Sequence, residues 1–379
     1  MPAIPRFSPS ASSFRDRRDF LKACGTAAGG VLLGNLSGCG PAPTEEPAVE
    51  RPSHLVRFGH TDLYVSKLCQ GTAFRKVSRK GDDPEGLRIL SHCIDIGVNF
   101  FDSSEAYGWG GSETALGKAM AGRRDQVVVC TKAAPVDGPE SERSAFTRES
   151  LFRKAEGSLK RLGTDYIDLY LLHSPDIRTP RADADNPAAD VPTREHMEQL
   201  ADSLDDLVKA GKIRYWGVSN HLARQVGELL ELGKREGKSP IAGLEDYFNL
   251  VAADRGDFMV QELFPLIRQG NLGLLTFSPL GEGRLAPGRE IPEGSPLKGP
   301  VEALDSVAND LGVTRPQVCV AWVLSHPEVT SVLAGAEKPE HVSDNFAGTR
   351  ITLPEEALQR LNAAAAAYTE AVTTAAKKG

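Results

Sequence analysis

The sequence has no C-x-x-C pair and no cysteine–histidine cluster at zinc-binding spacing, so no metal site is expected. It also lacks a basic run. The formal net charge is −7, and residues 1–38 hold five basic and two acidic side chains, which leaves −10 on the rest of the chain. An acidic body of this kind excludes nucleic acid as a partner. No 20–50-residue period recurs, which excludes a solenoid. The uncharged apolar stretch from Ala23 to Leu36 is too short to span a membrane. As a helix it covers ~21 Å, at ~1.5 Å per residue, against a hydrocarbon core of ~30 Å.

What is present is ordinary globular composition: 379 residues, 25% charged and 40% hydrophobic. That length holds two or three average domains, or one α/β barrel with extensions. The cysteines are Cys24, Cys39, Cys69, Cys93, Cys130 and Cys319. The last four lie in apolar segments and are expected to be small buried hydrophobes rather than disulfide partners.

The first forty residues read as an address. Arg17-Arg18-Asp19-Phe20-Leu21-Lys22 precedes the apolar stretch, and Leu36-Ser37-Gly38-Cys39 follows it. Basic, apolar and small residues in that order make a signal peptide. The paired arginines resemble a twin-arginine export signal, and Leu36 to Cys39 resembles a bacterial lipobox, in which the cysteine is lipidated. The resemblance implies export to the periplasm or cell envelope through the twin-arginine translocase. It also implies a membrane attachment made only through a lipid on Cys39. Residues 39–53 are Pro-rich and read as an extended tether. The folded domain is expected at 54–365, with a polar tail at 366–379.

Within that domain, short β-branched or aromatic runs alternate with stretches of 3.6-residue periodicity. Strands are expected at Val98 to Phe101, Gln126 to Thr131, Tyr166 to Leu172, Ile213 to Val218 and Leu272 to Phe277. Helices are expected at Glu113 to Ala121, Arg148 to Leu162, Glu195 to Ala210, His221 to Glu236 and Val301 to Leu311. Repeated βα units mean parallel strands with right-handed crossovers. Eight units fit between Ser66 and Phe346, favouring a closed (β/α)8 TIM barrel over an open sheet. Leu55 to Ser66 reads as an N-terminal β-hairpin turning at Gly59-His60-Thr61-Asp62.

A barrel of this type keeps its site at the C-terminal ends of its strands. Asp102, Lys132 and His173 each end a strand-like run, and Tyr107 follows Asp102 by five residues. Singly, each has a plain structural use: a helix cap, a solvated cation, a satisfied core histidine, a half-buried ring. Together they converge on one mouth. A phenol of pKa ~10 is a poor acid near neutrality. A nearby ammonium lowers that pKa, and a carboxylate fixes the ammonium.

These segments resemble the aldo-keto reductase family across nearly all of residues 54–365. The matching stretches are Gly97 to Asp102, Ser112 to Gly117, Thr131-Lys132, Ser158 to Leu162, Asp165 to Tyr170, Gly211 to Arg214, Gly217 to Asn220 and Phe277 to Leu280. The resemblance implies an NAD(P)-dependent oxidoreductase acting on an aldehyde, ketone or sugar. In it Tyr107 protonates the carbonyl oxygen, Lys132 and Asp102 tune Tyr107, and His173 orients the carbonyl. It also implies nucleotide contacts from Gly71, Thr72, Asp102, Ser219, Asn220, Glu245, Phe277, Ser278, Leu280, Gly335, Lys338, His341, Asp344 and Asn345. Ser219 and Asn220 would hold the carboxamide and Phe277 would stack on the ring.

Glu245 stands where the family commonly has Gln. A carboxylate only accepts hydrogen bonds, and its charge favours the oxidised, cationic nicotinamide. Glu337 and His341 stand where NADP-preferring members often carry cations, leaving Lys338. That weighs slightly toward NAD over NADP. Ser174 to Thr193 has no apolar period and is expected to arch over the site. A nucleotide-binding sensory or accessory subunit with little turnover is the alternative to an enzyme.

Overall fold

The computed structural model describes residues 52, 54–138, 141, 142, 144–176 and 193–376. The signal segment, Cys39 and most of the Ser174 to Thr193 stretch lie outside the described residues, as does the tether apart from Pro52.

Two short strands, β1 (Leu55–Arg57) and β2 (Tyr64–Ser66), form the expected hairpin, with Leu55 opposite Ser66. Its turn is tied by the Thr61 hydroxyl, which donates to the Phe58 carbonyl at 2.6 Å. Phe58 is wholly buried and plugs the bottom of the barrel. Gly243 and Gly273 face it, and a Cβ on either would stand 2.4 Å from its ring. The ring needs that space, so glycine is required at both positions.

Eight parallel strands close into a barrel: β3 (Leu68–Gly71), β4 (Phe100–Asp102), β5 (Val128–Ala133), β6 (Ile167–Leu172), β7 (Ile213–Ser219), β8 (Gly243–Tyr247), β9 (Gly273–Phe277) and β10 (Ser331–Ala334). β10 pairs with β3, so no edge remains. This is the expected (β/α)8 architecture.

The helices outside are α1 (Pro84–Ile96), α2 (Gly111–Ala119), α3 (Arg148–Leu162), α4 (Arg194–Lys209), α5 (Ala223–Leu232), α6 (Asp254–Phe258), α7 (Phe264–Gly270), α8 (Lys298–Leu311), α9 (Arg315–Leu324), α10 (Pro339–Gly348) and α11 (Glu355–Ala376). Local chemistry sets several ends. Asp83 caps α1 by accepting from the Gly86 N–H, and Pro84 opens it. Thr147 and Ser150 form a capping box at α3, and Gly163 closes it in the left-handed conformation at φ 64°.

Three elements differ from expectation. α5 is shorter than His221 to Glu236, because Asn220 is left-handed at φ 59° and the His221 ring bonds back to the Ser219 carbonyl. Two helices, not one, separate β9 from β10. Residues 366–376 are not a tail: the alanine run Ala363 to Ala367 carries α11 on to Ala376, and Tyr368 is buried. Cys69, Cys93, Cys130 and Cys319 are free and buried, as expected.

The core has two layers. Phe58, Cys69, Phe100, Cys130, Leu169, Leu171, Leu275 and Leu333 fill the barrel interior. Phe101, Val129, Tyr170, Val218, Leu244 and Leu274 point the other way, under the helices. This alternation fixes which strand-end residues face the mouth.

Candidate active site

One step of two residues beyond the last interior layer leads to Gly71, Asp102, Lys132, His173, Ser219, Glu245, Phe277 and Gly335. Each strand contributes one, near its C-terminal end or, for His173 and Gly335, just past it. A cleft of about 280 Å³ opens there, lined among others by Gly71, Asp102, Tyr107, His173, Asn220, Glu245, Phe277, Ser278 and Gly335. A larger cavity, about 650 Å³, lies between α6 and α11, away from these strand ends.

At the centre is Lys132. It is 0% exposed, Asp102 1% and Glu245 3%. Its ammonium donates to the Asp102 carboxylate, to the Ser103 carbonyl at 3.0 Å and to the Tyr107 oxygen at 3.4 Å. Those contacts engage all three N–H donors. Glu245 Oε2 lies 3.3 Å from the same nitrogen but makes no hydrogen bond. Burial would push the ammonium down, yet the Asp102 and Glu245 carboxylates outweigh it and hold Lys132 charged well above its usual range.

Burial pushes the Tyr107 phenol up, against the pull of Lys132. The lysine acts in the expected direction, but burial outweighs it, and the Asp102 charge offsets part of its pull. Tyr107 is therefore a protonated donor at neutral pH. Its ring meets His173 edge-on, with centroids 5.4 Å apart.

Burial, reinforced by Lys132, pushes His173 down to about 3, so the imidazole is neutral. Its Nδ1 lies 3.0 Å from the Ser104 hydroxyl. A proton donated by Ser104 to Nδ1 leaves the ring hydrogen on Nε2, the tautomer that can donate to a carbonyl oxygen. Ser104 was outside the expected set. Its only sequence signal is its place two residues after Asp102.

The remaining expected residues divide. Asn220 donates to the His173 carbonyl at 3.0 Å and to the Ser219 hydroxyl at 2.9 Å, which fixes its amide at the cleft. Thr72 is buried and ties β3 to β4 through the Ser103 hydroxyl at 2.9 Å. Leu280, Lys338, His341, Asp344 and Asn345 do not line the cleft. Lys338 and His341 are exposed at the start of α10, and Asn345 is buried. The Asp344 carboxylate accepts from Thr314 at 2.9 Å and Gln317 at 2.7 Å, so it braces α9. Arg75, also outside the expected set, stands 3.6 Å from Glu337, a cleft residue.

Two carboxylates in the matching stretches serve the scaffold. Glu113 accepts from Thr131 and Arg161, each at 2.6 Å. Asp168 accepts from Arg124 at 2.6 Å, Arg214 at 2.8 Å and the Val129 N–H at 3.0 Å.

A barrel whose mouth holds a lysine-tuned tyrosine beside a neutral histidine defines an oxidoreductase site. The aldo/keto reductase family model matches residues 67–366, and the chain belongs to that family. An uncharacterized oxidoreductase of Bacillus subtilis, YrpG, is 31% identical over 80% of this chain and 94% of its own length. A probable voltage-gated potassium channel subunit beta of Oryza sativa is also 31% identical, over 76% of this chain and 89% of its own length. An aldo/keto reductase of Klebsiella pneumoniae, solved with NADP and acetate, superimposes with a TM-score of 0.61 at 29% identity, covering 82% of this chain and 94% of the other.

The site's chemistry fits a nicotinamide. Phe277 offers an aromatic face, Asn220 an amide, and Glu245 an oxygen with no hydrogen-bond donor. Nothing lies within 4 Å of where a Cβ on Gly335 would stand, so its backbone is open to close approach.

Proposed function

We propose that this chain is an exported NAD(P)-dependent oxidoreductase that interconverts an aldehyde, ketone or sugar carbonyl and an alcohol. The carrying observation is Lys132, held between Asp102 and the Tyr107 oxygen in the same cleft as His173. A bound nicotinamide dinucleotide would supply hydride in reduction and take it in oxidation. Ser219, Asn220 and Glu245 would hold its carboxamide, and Phe277 its ring. The segment from Gly335 into the α10 N-terminus would hold the phosphates.

Tyr107 donates its phenolic proton to the carbonyl oxygen in reduction and takes it back in oxidation. Lys132 stabilises the phenolate left behind, and Asp102 fixes Lys132. His173 donates from Nε2 to the same oxygen and so orients the carbonyl. The export half of the proposal rests on Arg17-Arg18 and Leu36 to Cys39, with the twin-arginine translocase as carrier and a Cys39 lipid as anchor.

The test is to mix purified protein with NADH or NADPH and a panel of aldehydes, ketones and sugars, following the reduced-nicotinamide absorbance. The reverse direction uses the oxidised nucleotides and alcohols. Turnover is expected with at least one carbonyl class. Nucleotide binding without turnover would favour an accessory subunit, the reading to which the potassium-channel relatives point. Binding of neither nucleotide would sink both readings.

A further inference from the structure

Glu245 has surroundings that give its departure from the family's Gln a consequence. It sits on β8, whose neighbours β7 and β9 bring Ser219, Leu275 and Phe277 to the same face, none of them titratable. Among the described residues, the charged and titratable groups facing it come from across the mouth. They are Asp102 at the end of β4, Lys132 on β5, the Tyr107 phenol, His173 and Glu337, which line the same cleft, and Cys69 and Cys130 one layer down. Asp246, next along β8, is paired with Arg255 instead. An oxygen of Glu245, an oxygen of Asp102 and the Cys130 sulfur all lie within 4.8 Å of one another. Two carboxylates thus share one ammonium, which bonds Asp102 and leaves Glu245 Oε2 without a hydrogen-bond partner.

We propose that nucleotide binding here is proton-linked: Glu245 holds a proton in the free protein and releases it to solvent when an oxidised, cationic nicotinamide binds. This rests on the nicotinamide-binding reading above. Two buried carboxylates this close cannot both be ionised cheaply, and Glu245, farther than Asp102 from the ammonium, keeps the proton. Burial and the Asp102 charge both raise the Glu245 carboxyl well above the ordinary range, against the pull of Lys132. A pyridinium ring stacked on Phe277, in the cleft that Glu245 also lines, supplies the second positive charge. The carboxylic O–H then ionises, the proton leaves to water, and no electron moves. The reduced ring is neutral and displaces nothing.

The test is calorimetric titration with NAD+ and NADH between pH 5.5 and 8.5, in buffers of differing ionisation heat. NADP+ and NADPH are run in parallel. The affinity for the oxidised form should rise up to tenfold per pH unit, with up to one proton released per nucleotide. The reduced form should release none. E245Q should bind both forms with no difference in proton release. Parallel pH dependence of the two forms in the wild-type protein would overturn the proposal. So would oxidised-form proton release that persists in E245Q. The wild-type comparison does not depend on how the variant folds. Failure of both forms to bind would instead overturn the nicotinamide-binding reading itself.

Discussion

Tyr107→Phe separates chemistry from structure at this site. The substitution removes one oxygen and leaves the ring, so the edge-on contact with His173 at 5.4 Å is kept. Lys132 loses its longest hydrogen bond, 3.4 Å, and keeps Asp102 and the Ser103 carbonyl. A hydrogen bond to a charged group contributes about 1.5–3 kcal/mol, and one this long less, so fold and nucleotide affinity should change little. The lost proton donor should lower kcat by at least ~100-fold, about 2.7 kcal/mol at 1.36 kcal/mol per decade. The assay is steady-state reduction of an accepted carbonyl, alongside a nucleotide titration and a thermal melt. Because burial raises the phenol, wild-type reduction should also show no loss of the Tyr107 proton between pH 6 and 8. Near-normal turnover in Tyr107→Phe would refute the assignment of the proton donor.

Other predictions test separate parts of the molecule. NAD(H) should bind at least as well as NADP(H), and Glu337→Arg should shift preference toward NADP(H) by ~1–3 kcal/mol, read from paired Kd values. Strong NADP(H) selectivity in the parent would mean that Lys338 or Arg75 already meets the phosphate. Asp168→Ala strips Arg124, Arg214 and the Val129 N–H of a shared buried acceptor, and should cost about 3 kcal/mol in chemical denaturation with the slope unchanged. Nucleotide affinity should survive it, since Asp168 lies near the start of β6, at the end of the barrel away from the cleft. Replacing Arg17 and Arg18 by Lys should leave precursor in the cytoplasm, and Cys39→Ala should leave the protein uncleaved or released from membranes in detergent-free fractionation. Normal export of the double-lysine variant would remove the twin-arginine reading.

The period of two explains why so much of the mouth could be read in advance. Once Phe100, Cys130, Leu169 and Leu275 are interior, Asp102, Lys132, His173 and Phe277 must face the mouth, whatever the barrel's details. Residues placed by loops and helix ends obey no such period. Leu280, in the loop after β9, falls outside the cleft for that reason, and Asp344 on α10 turns to Thr314 and Gln317, while Ser104 and Arg75 come into play without a motif to mark them. The ionisation states were less legible still, because they depend on competition for donors that exists only after the barrel closes. A sequence shows Asp102, Tyr107, Lys132 and Glu245 as four polar residues. It does not show that one ammonium has three hydrogens and that Asp102, the Ser103 carbonyl and Tyr107 engage them all. That shortage leaves Glu245 Oε2 without a hydrogen-bond partner. Together with burial and the charge of Asp102, it makes Glu245 the carboxyl whose proton answers to the cofactor's charge.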